Sequence, residues 1–248
     1  VKVSGVQAEK VNGYGDTKTT ITPVKEPLND ANTHFINNQE WTIYADGTVV
    51  CQSVLLPRGN PLELLRLGYE FQFPANLGNV AYYGRGPEEN YADRKSGMPL
   101  GVYKTTAKDS FFPYGRPQDC GNHEDTRWVA VTDDKGQGLL FGSLGTPFAF
   151  SAIPYTTTEL ILANHPVELP KTTNRTVLVL SAATRGLGGA SCGPGPMSRD
   201  IIKANKPYPM SFFIRPVTAK SYKGELRVPA AELDMTMLTR TDKYAVKS

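Results

Sequence analysis

Three loops of this 248-residue chain are polar in ways a plain sandwich does not need, two of them crowded with charged and amide side chains, and their residue types bound the chemistry open to it. The first loop, Gly84-Arg85-Gly86-Pro87-Glu88-Glu89-Asn90-Tyr91-Ala92-Asp93-Arg94, sets two arginines, three acids, an amide and a phenol in eleven residues. Its glycines and Pro87 give it a fixed shape, and fixed loops on rigid scaffolds carry binding groups. The plainer reading is an internal ion-pair network that pins the loop. The second loop, Gly121-Asn122-His123-Glu124-Asp125-Thr126-Arg127-Trp128, places a histidine beside two carboxylates. That is the make-up of a general acid–base pair or of half a metal site, weighed against a solvated loop. A metal needs three or four convergent ligands, and the other histidines, His34 and His165, stand at no ligand spacing. No metal and no cofactor are expected.

The third loop, Gly186 to Pro196, lacks the Gly-Lys-Ser/Thr ending and the following helix of a phosphate cradle. Nor does Ser191 sit in a nucleophile elbow. A tight irregular turn with Cys192 buried is expected there. His165 follows a short helical stretch, where a lone histidine caps the helix end or bonds a backbone carbonyl.

The elements that must position these groups read as strands. The 23 glycines and 19 prolines are spread evenly between short stretches of period-2 alternation rich in β-branched and aromatic residues, the pattern of an all-β sandwich or barrel. The clearest unit is a hairpin from Glu40 to Leu56 around Asp46-Gly47, a dipeptide suited to positive φ. Further strands are predicted at Leu65–Phe73, Val80–Gly84, Arg127–Thr132, Gly138–Ser143, Phe148–Ala152, Thr176–Ala182 and Pro209–Val217. Only Thr156–Asn164 reads helical, with a threonine cap and Glu159 in the first turn. The first 35 or so residues are polar, and Thr218–Ser248 reads as a strand and loop wrapping the sandwich or as a trailing tail. The expected organisation is a sandwich domain over 1–217 with 218–248 packed on it or trailing from it.

Composition excludes several classes. A formal charge of +3 from 27 basic and 24 acidic residues, well interspersed, argues against a nucleic-acid partner. No apolar run approaches the roughly 18 residues of a membrane span. The three cysteines, Cys51, Cys120 and Cys192, are odd in number and widely spaced, which argues against a disulfide framework.

The segment Val80–Arg94, centred on Gly86-Pro87-Glu88-Glu89-Asn90-Tyr91-Ala92-Asp93-Arg94, resembles the GPxENYxDR signature of the carboxy-terminal small-chain domain of family 2 glycoside hydrolases of the β-galactosidase type. The resemblance continues in order through Gly121–Trp128, Pro147–Ser151 with Pro154-Tyr155, Thr158–Leu160 with His165 and Glu168-Leu169, and Gly186–Gly189. It runs from about Trp41 to Val217.

This resemblance implies an all-β supersandwich similar to galactose mutarotase, with further strands before the Trp41 hairpin, so that Val1 falls inside the domain. It implies that catalysis belongs elsewhere, to two glutamates about 5 Å apart on a (β/α)₈ barrel working by a retaining mechanism. A fragment without that barrel is expected to be inactive alone. Its part would be to shape the mouth of the substrate site, with Arg85, Glu88, Asn90, Asp93, Arg94, His123, Glu124, Arg127 and His165 as substrate-side residues. Arg85, Glu88, Asn90, Asp93 and Arg94 are expected to form one hydrogen-bonded cluster.

Family members supply an aromatic ring from the loop before Phe148, where this sequence has Ser143-Leu144-Gly145-Thr146. Ala190-Ser191-Cys192-Gly193 replaces acidic residues and a tryptophan common in the family. Both departures bear against lactose as the substrate and leave another β-linked galactoside or a different glycoside open. The partners implied are carbohydrate, the rest of a parent enzyme chain and a second copy in a homo-oligomer, in a bacterial cytoplasm or periplasm. The alternative is a free-standing mutarotase-like sugar-binding module, or an epimerase using His123, His165 and a carboxylate such as Glu124, whose side chains would have to converge on one sugar ring.

Overall fold

A computed structural model describes residues 3–11, 16–23, 34–59, 64–189 and 192–217. The segment 218–248, read from sequence as a strand or tail, lies outside the described residues. The strands in chain order are β1 (Val3–Val11), β2 (Asp16–Pro23), β3 (His34–Ile43), β4 (Val49–Arg58), β5 (Arg66–Pro74), β6 (Asn79–Arg85) and β7 (Leu100–Thr106). They continue with β8 (His123–Thr126), β9 (Trp128–Thr132), β10 (Gly138–Ser143), β11 (Phe148–Ile153), β12 (Arg175–Thr184) and β13 (Tyr208–Val217). One short helix, α1 (Thr157–Leu162), lies between β11 and β12, with 3₁₀ turns at Pro166–Glu168 and Ser198–Asp200. The all-β expectation with a single short helix is met.

The strands form two antiparallel sheets. Nine of them run in the order β1-β2-β3-β4-β13-β10-β9-β6-β7, and four in the order β5-β12-β11-β8. Inward-facing residues of the two sheets interdigitate. Val129, Val131, Phe141 and Phe212 from the larger sheet meet Phe148, Phe150, Leu178 and Leu180 from the smaller. Each of these is at most 2% exposed, and a fully buried side chain of this size contributes about 1.5–3 kcal/mol. The alternate residues of β9, Trp128 and Ala130, join Tyr44, Val50, Leu140 and Phe213 in a second buried cluster. Because both faces of β9 are covered, all five of its residues are buried.

Turn chemistry sets the register. In the β3–β4 hairpin Gly47 takes φ +82, and the Asp46 carboxylate accepts from the Thr48 N–H at 2.9 Å. In the β9–β10 hairpin Asp133 Oδ1 accepts from the N–H groups of Lys135 and Gln137 at 2.9 and 2.8 Å, and Gly136 takes φ +73. The helix starts as read: Thr156 and Glu159 form a reciprocal capping box.

β1 and β2 precede the Trp41 hairpin, where the resemblance implies further strands, while β7 and β8 do not appear in the sequence reading. β7 is an edge strand with Leu100 and Val102 turned to solvent, so it shows no inward apolar alternation. β8 is polar throughout yet buried but for Asp125. Among the described residues, no helix is long and apolar enough to cross a membrane.

Candidate functional site

The corner where β6 leaves the larger sheet is also where the chain steps from β8 in the smaller sheet to β9 in the larger, with only Arg127 between them. The backbone of Arg127 is already held by the larger sheet: its N–H donates to Tyr83 O on β6 at 2.8 Å, and its carbonyl accepts from Ser143 N on β10 at 2.7 Å. Asp125 makes the step at φ +52, a left-handed conformation that aspartate tolerates better than most residues. The fit is close, since a Cβ on Gly84 would stand 2.4 Å from Thr126 Oγ1.

The first polar loop folds over this corner around Asn90, which is fully buried. Its amide Nδ2 donates to Arg85 O and Glu88 O, both at 3.0 Å, and its Oδ1 accepts from Glu124 N at 2.8 Å. Its backbone N–H donates to Asn122 O, and its carbonyl accepts from Asn122 Nδ2, each at 2.7 Å. One side chain therefore satisfies backbone groups at the end of β6, in the loop after it and in β8.

The neighbouring acids reach in different directions. Glu89 accepts from Gly121 N at 2.8 Å, Tyr91 OH at 3.1 Å, Arg94 Nη2 at 3.3 Å and Tyr114 OH. Burial and this carboxylate push the Tyr114 phenol up to about 12. Asp93 reaches the third loop, where its two oxygens accept from Leu187 N at 2.9 Å and Gly188 N at 2.7 Å. Glu124 is 9% exposed and accepts on Oε1 from Asn122 Nδ2 at 3.0 Å and Thr184 Oγ1 at 2.6 Å. Asp125 pairs with Arg85 Nε and with Lys95 Nζ, the latter at 2.9 Å. Burial pushes its pKa up, but the bonds from Arg85 and Lys95 outweigh this and hold the carboxyl below its ordinary range.

His123 lies beneath these residues, 4% exposed, stacked on Phe150 at 5.2 Å and Tyr82 at 4.4 Å between ring centroids. Its Nδ1 is 3.0 Å from Arg85 O, an acceptor only, so the neutral ring carries its proton there. Burial pushes its pKa down to about 4 despite the Arg85 carbonyl.

The expected single cluster of Arg85, Glu88, Asn90, Asp93 and Arg94 resolves into separate attachments. Arg85 pairs with Asp125, Arg94 with Glu89 and Asp93 with the third loop, while Asn90 holds backbone. Glu88 is exposed, and its backbone carbonyl serves Asn90. Arg127 lies over the Tyr83 ring at 5.6 Å. His165 bonds Glu168 Oε1 at 2.9 Å, its side chain 72% exposed, and it shares no partner with His123. Leu144 packs partly buried beside the Trp128 cluster, while Gly145 and Thr146 are exposed, with Gly145 at φ +83. Cys192, expected to be buried, is exposed: the third loop turns back on itself through Gly189 N to Pro194 O at 2.8 Å and leaves the thiol outside.

Glu89, Lys95, Asn122, Asp125 and Thr184 take part without having been singled out. Glu89, Asn122 and Asp125 lie inside the loops already flagged, but Lys95 and Thr184 carry no local signal. Among the described residues no group of three or more His, Cys, Asp or Glu could hold a metal ion. Every acid here but Glu88 is committed to internal donors and the histidine is neutral, so the network's chemistry is to fix shape. It locks three loops into one rim.

Comparison with known proteins gives this corner a family. A β-galactosidase of Priestia megaterium (strain DSM 319 / IMG 1521) is 35% identical over 178 residues, which cover 71% of this chain and 17% of that protein. The β-galactosidase BgaC of Bifidobacterium adolescentis is 43% identical over 143 residues, 56% of this chain and 13% of that protein. A β-galactosidase small subunit of Latilactobacillus sakei is 38% identical over 159 residues, 60% of this chain and 49% of that one. The chain thus spans less than a fifth of the first two relatives and about half of the third. Among solved structures, a galactose mutarotase related enzyme from Lactobacillus acidophilus aligns with a TM-score of 0.42 at 9% identity, over 86% of this chain and 71% of that chain. A family model described as β-galactosidase small chain matches residues 2–214, which takes in both sheets and all three rim loops, and the chain belongs to that family.

Proposed function

We propose that this chain is the non-catalytic β-sandwich part of a β-galactosidase-like retaining hydrolase of glycoside hydrolase family 2, and that its three-loop rim forms one wall of the substrate-site mouth. Catalysis belongs to carboxylates on another part of the enzyme, and the rim holds the wall in place against the sugar. The observation that carries this reading is the interlock of Glu89, Asn90 and Asp93 in one loop, the first two fastening the second loop at Gly121 N and Glu124 N and the last fastening the third loop at Gly188 N. Such bracing gives a binding edge the rigidity that orientation of a polar ligand demands.

Against the epimerase reading stand the two histidines. His123 is neutral and bonded to Arg85 O, and His165 is paired with Glu168 on a separate segment. Acid–base work on one ring needs both within hydrogen-bonding reach of it.

The test is complementation. The catalytic polypeptide of the same enzyme is assayed on a chromogenic β-galactoside with and without this chain, and the chain alone is assayed for anomer interconversion by NMR. The expected result is little hydrolysis from either part alone and recovery on mixing. Catalysed interconversion by the chain alone, or hydrolysis indifferent to its presence, overturns the proposal.

A further inference from the structure

Three large aliphatic side chains stand in solvent within seven residues: Ile161 is 64% exposed, Leu162 73% and Val167 79%. Scattered exposed aliphatics are ordinary, but a contiguous set on a rigid element marks a contact surface. The element here is held firmly. A six-residue helix has no stability of its own. α1 is fastened by its capping box, by buried Leu160, by Arg175 Nη2 to Glu159 Oε1 at 2.5 Å and by Arg66 Nη2 to Thr157 Oγ1 at 2.7 Å.

Val167 is fixed as well. Glu168 accepts from Asn164 N and pairs with His165 Nδ1, each at 2.9 Å, and the turn closes through Leu169 N to Pro166 O at 3.2 Å. From Leu160 to Val167 the sequence carries no Asp, Glu, Lys or Arg.

We infer that this aliphatic rim, Ile161-Leu162 with Val167, is the surface by which the chain seats on the catalytic polypeptide of its own enzyme, an inference that rests on the proposed function above. The relatives point to that occupant. In the Priestia and Bifidobacterium proteins the matching region is a small share of a longer chain, whereas the Latilactobacillus relative is named a small subunit. In the Latilactobacillus relative the matching region is about half of a chain named a small subunit, which must hold its larger partner without a covalent tether. A preformed, charge-poor aliphatic edge does so at little cost in side-chain ordering.

The experiment measures association of this chain with the catalytic polypeptide, together with amide exchange of both states. The variants are Ile161→Lys/Leu162→Lys/Val167→Lys and, as a control at a similarly exposed site, Val102→Lys, 59% exposed on β7. Lysine near a helix C-terminus suits the helix dipole, so the triple variant is expected to fold. Expected are slowed exchange over 161–169 in the complex, at least tenfold weaker association of the triple variant and unchanged association of the control.

If wild type associates while residues 161–169 exchange as before, or while the triple variant binds normally, this surface is wrong and the proposed function stands. If sedimentation shows a dimer of the chain alone that the triple variant abolishes, a second copy is the occupant and the inference fails. If wild type neither associates nor alters hydrolysis, the proposed function itself has failed. Should the triple variant unfold, the exchange measurement on wild type decides alone.

Discussion

The buried Oδ1 of Asn90 accepts a hydrogen bond from the backbone N–H of Glu124 at 2.8 Å, so that one uncharged side chain ties the first polar loop to β8, within the second. The same amide serves Arg85 O and Glu88 O. Asn90→Ala leaves the buried Glu124 N–H without its acceptor, at about 1–3 kcal/mol, and takes one donor each from Glu88 O, at an exposed residue, and from Arg85 O, which keeps His123 Nδ1. Denaturant unfolding is expected to show a loss of about 2 kcal/mol. Asn90→Asp is expected to be no milder, because a carboxylate would face two carbonyl oxygens. A loss below about 1 kcal/mol for either variant would show that the loop stands without this residue.

Asp93 does for the third loop what Asn90 does for the second, at an exposed site. It receives two backbone N–H groups, from Leu187 and Gly188, and a Cβ on Gly186 would meet its Oδ2 at 2.6 Å and Asp200 Cβ at 2.9 Å. Asp93→Ala and Gly186→Ala are both expected to release this loop while leaving the sheets intact. Amide exchange at Leu187 and Gly188 should quicken at least tenfold, with a change of about 1 kcal/mol or less in global stability. Unchanged exchange in both variants would show that the latch is incidental.

How much of this corner was legible in the sequence follows from the physics of each contact. The Asp46-Gly47 hairpin and the Thr156–Glu159 capping box were readable because turn and cap chemistry is local. His123-Glu124-Asp125-Thr126, the sequence of β8, has no apolar alternation and so reads as a loop. It is a strand because Asn90 and Arg85 O satisfy its buried polar groups from far along the chain. The Asp93 latch spans 94 residues to Leu187, and its acceptors meet backbone N–H groups, which every residue but proline carries. No side-chain pattern announces such a bond. The loops that carry the site were therefore visible, while their mutual attachments were not.

His123 gives the fold a pH dependence of definite sign. Its folded pKa is pushed down to about 4 by burial, below the ordinary 6.5. The unfolded chain therefore binds a proton that the folded chain refuses as pH falls below 6.5. Stability from this residue is complete above pH 6.5 and is lost as pH drops through 4. The loss amounts to about 3 kcal/mol at about 1.4 kcal/mol per unit. His123→Gln should be less stable near neutrality, because its packing on Phe150 is gone, and its stability should vary less between pH 6.5 and 4. An equally steep acid limb in the variant would assign that limb to other groups.

Asp125 combines a charge effect with a backbone effect, and two substitutions separate them. Asparagine tolerates φ +52 as aspartate does, so Asp125→Asn removes only the charge that pairs with Arg85 and Lys95. The pair is half-exposed, and Arg85 keeps its bonds to Lys95 O and Met98 O at 3.2 and 2.9 Å. A loss of about 1 kcal/mol is expected, shrinking between about 0.05 M and about 1 M salt. Since these partners hold the carboxyl below its ordinary range, the wild-type advantage is present above that range and fades as pH falls through the lowered value. Asp125→Ala adds the cost of a left-handed alanine, about 1 kcal/mol more, which salt does not screen. If the rim forms the substrate-site wall proposed above, the same two variants in the assembled enzyme raise KM for a β-galactoside more than they lower kcat, because the turn at Asp125 sets where the rim stands. A fall in kcat with KM unchanged would place this corner away from the substrate's edge.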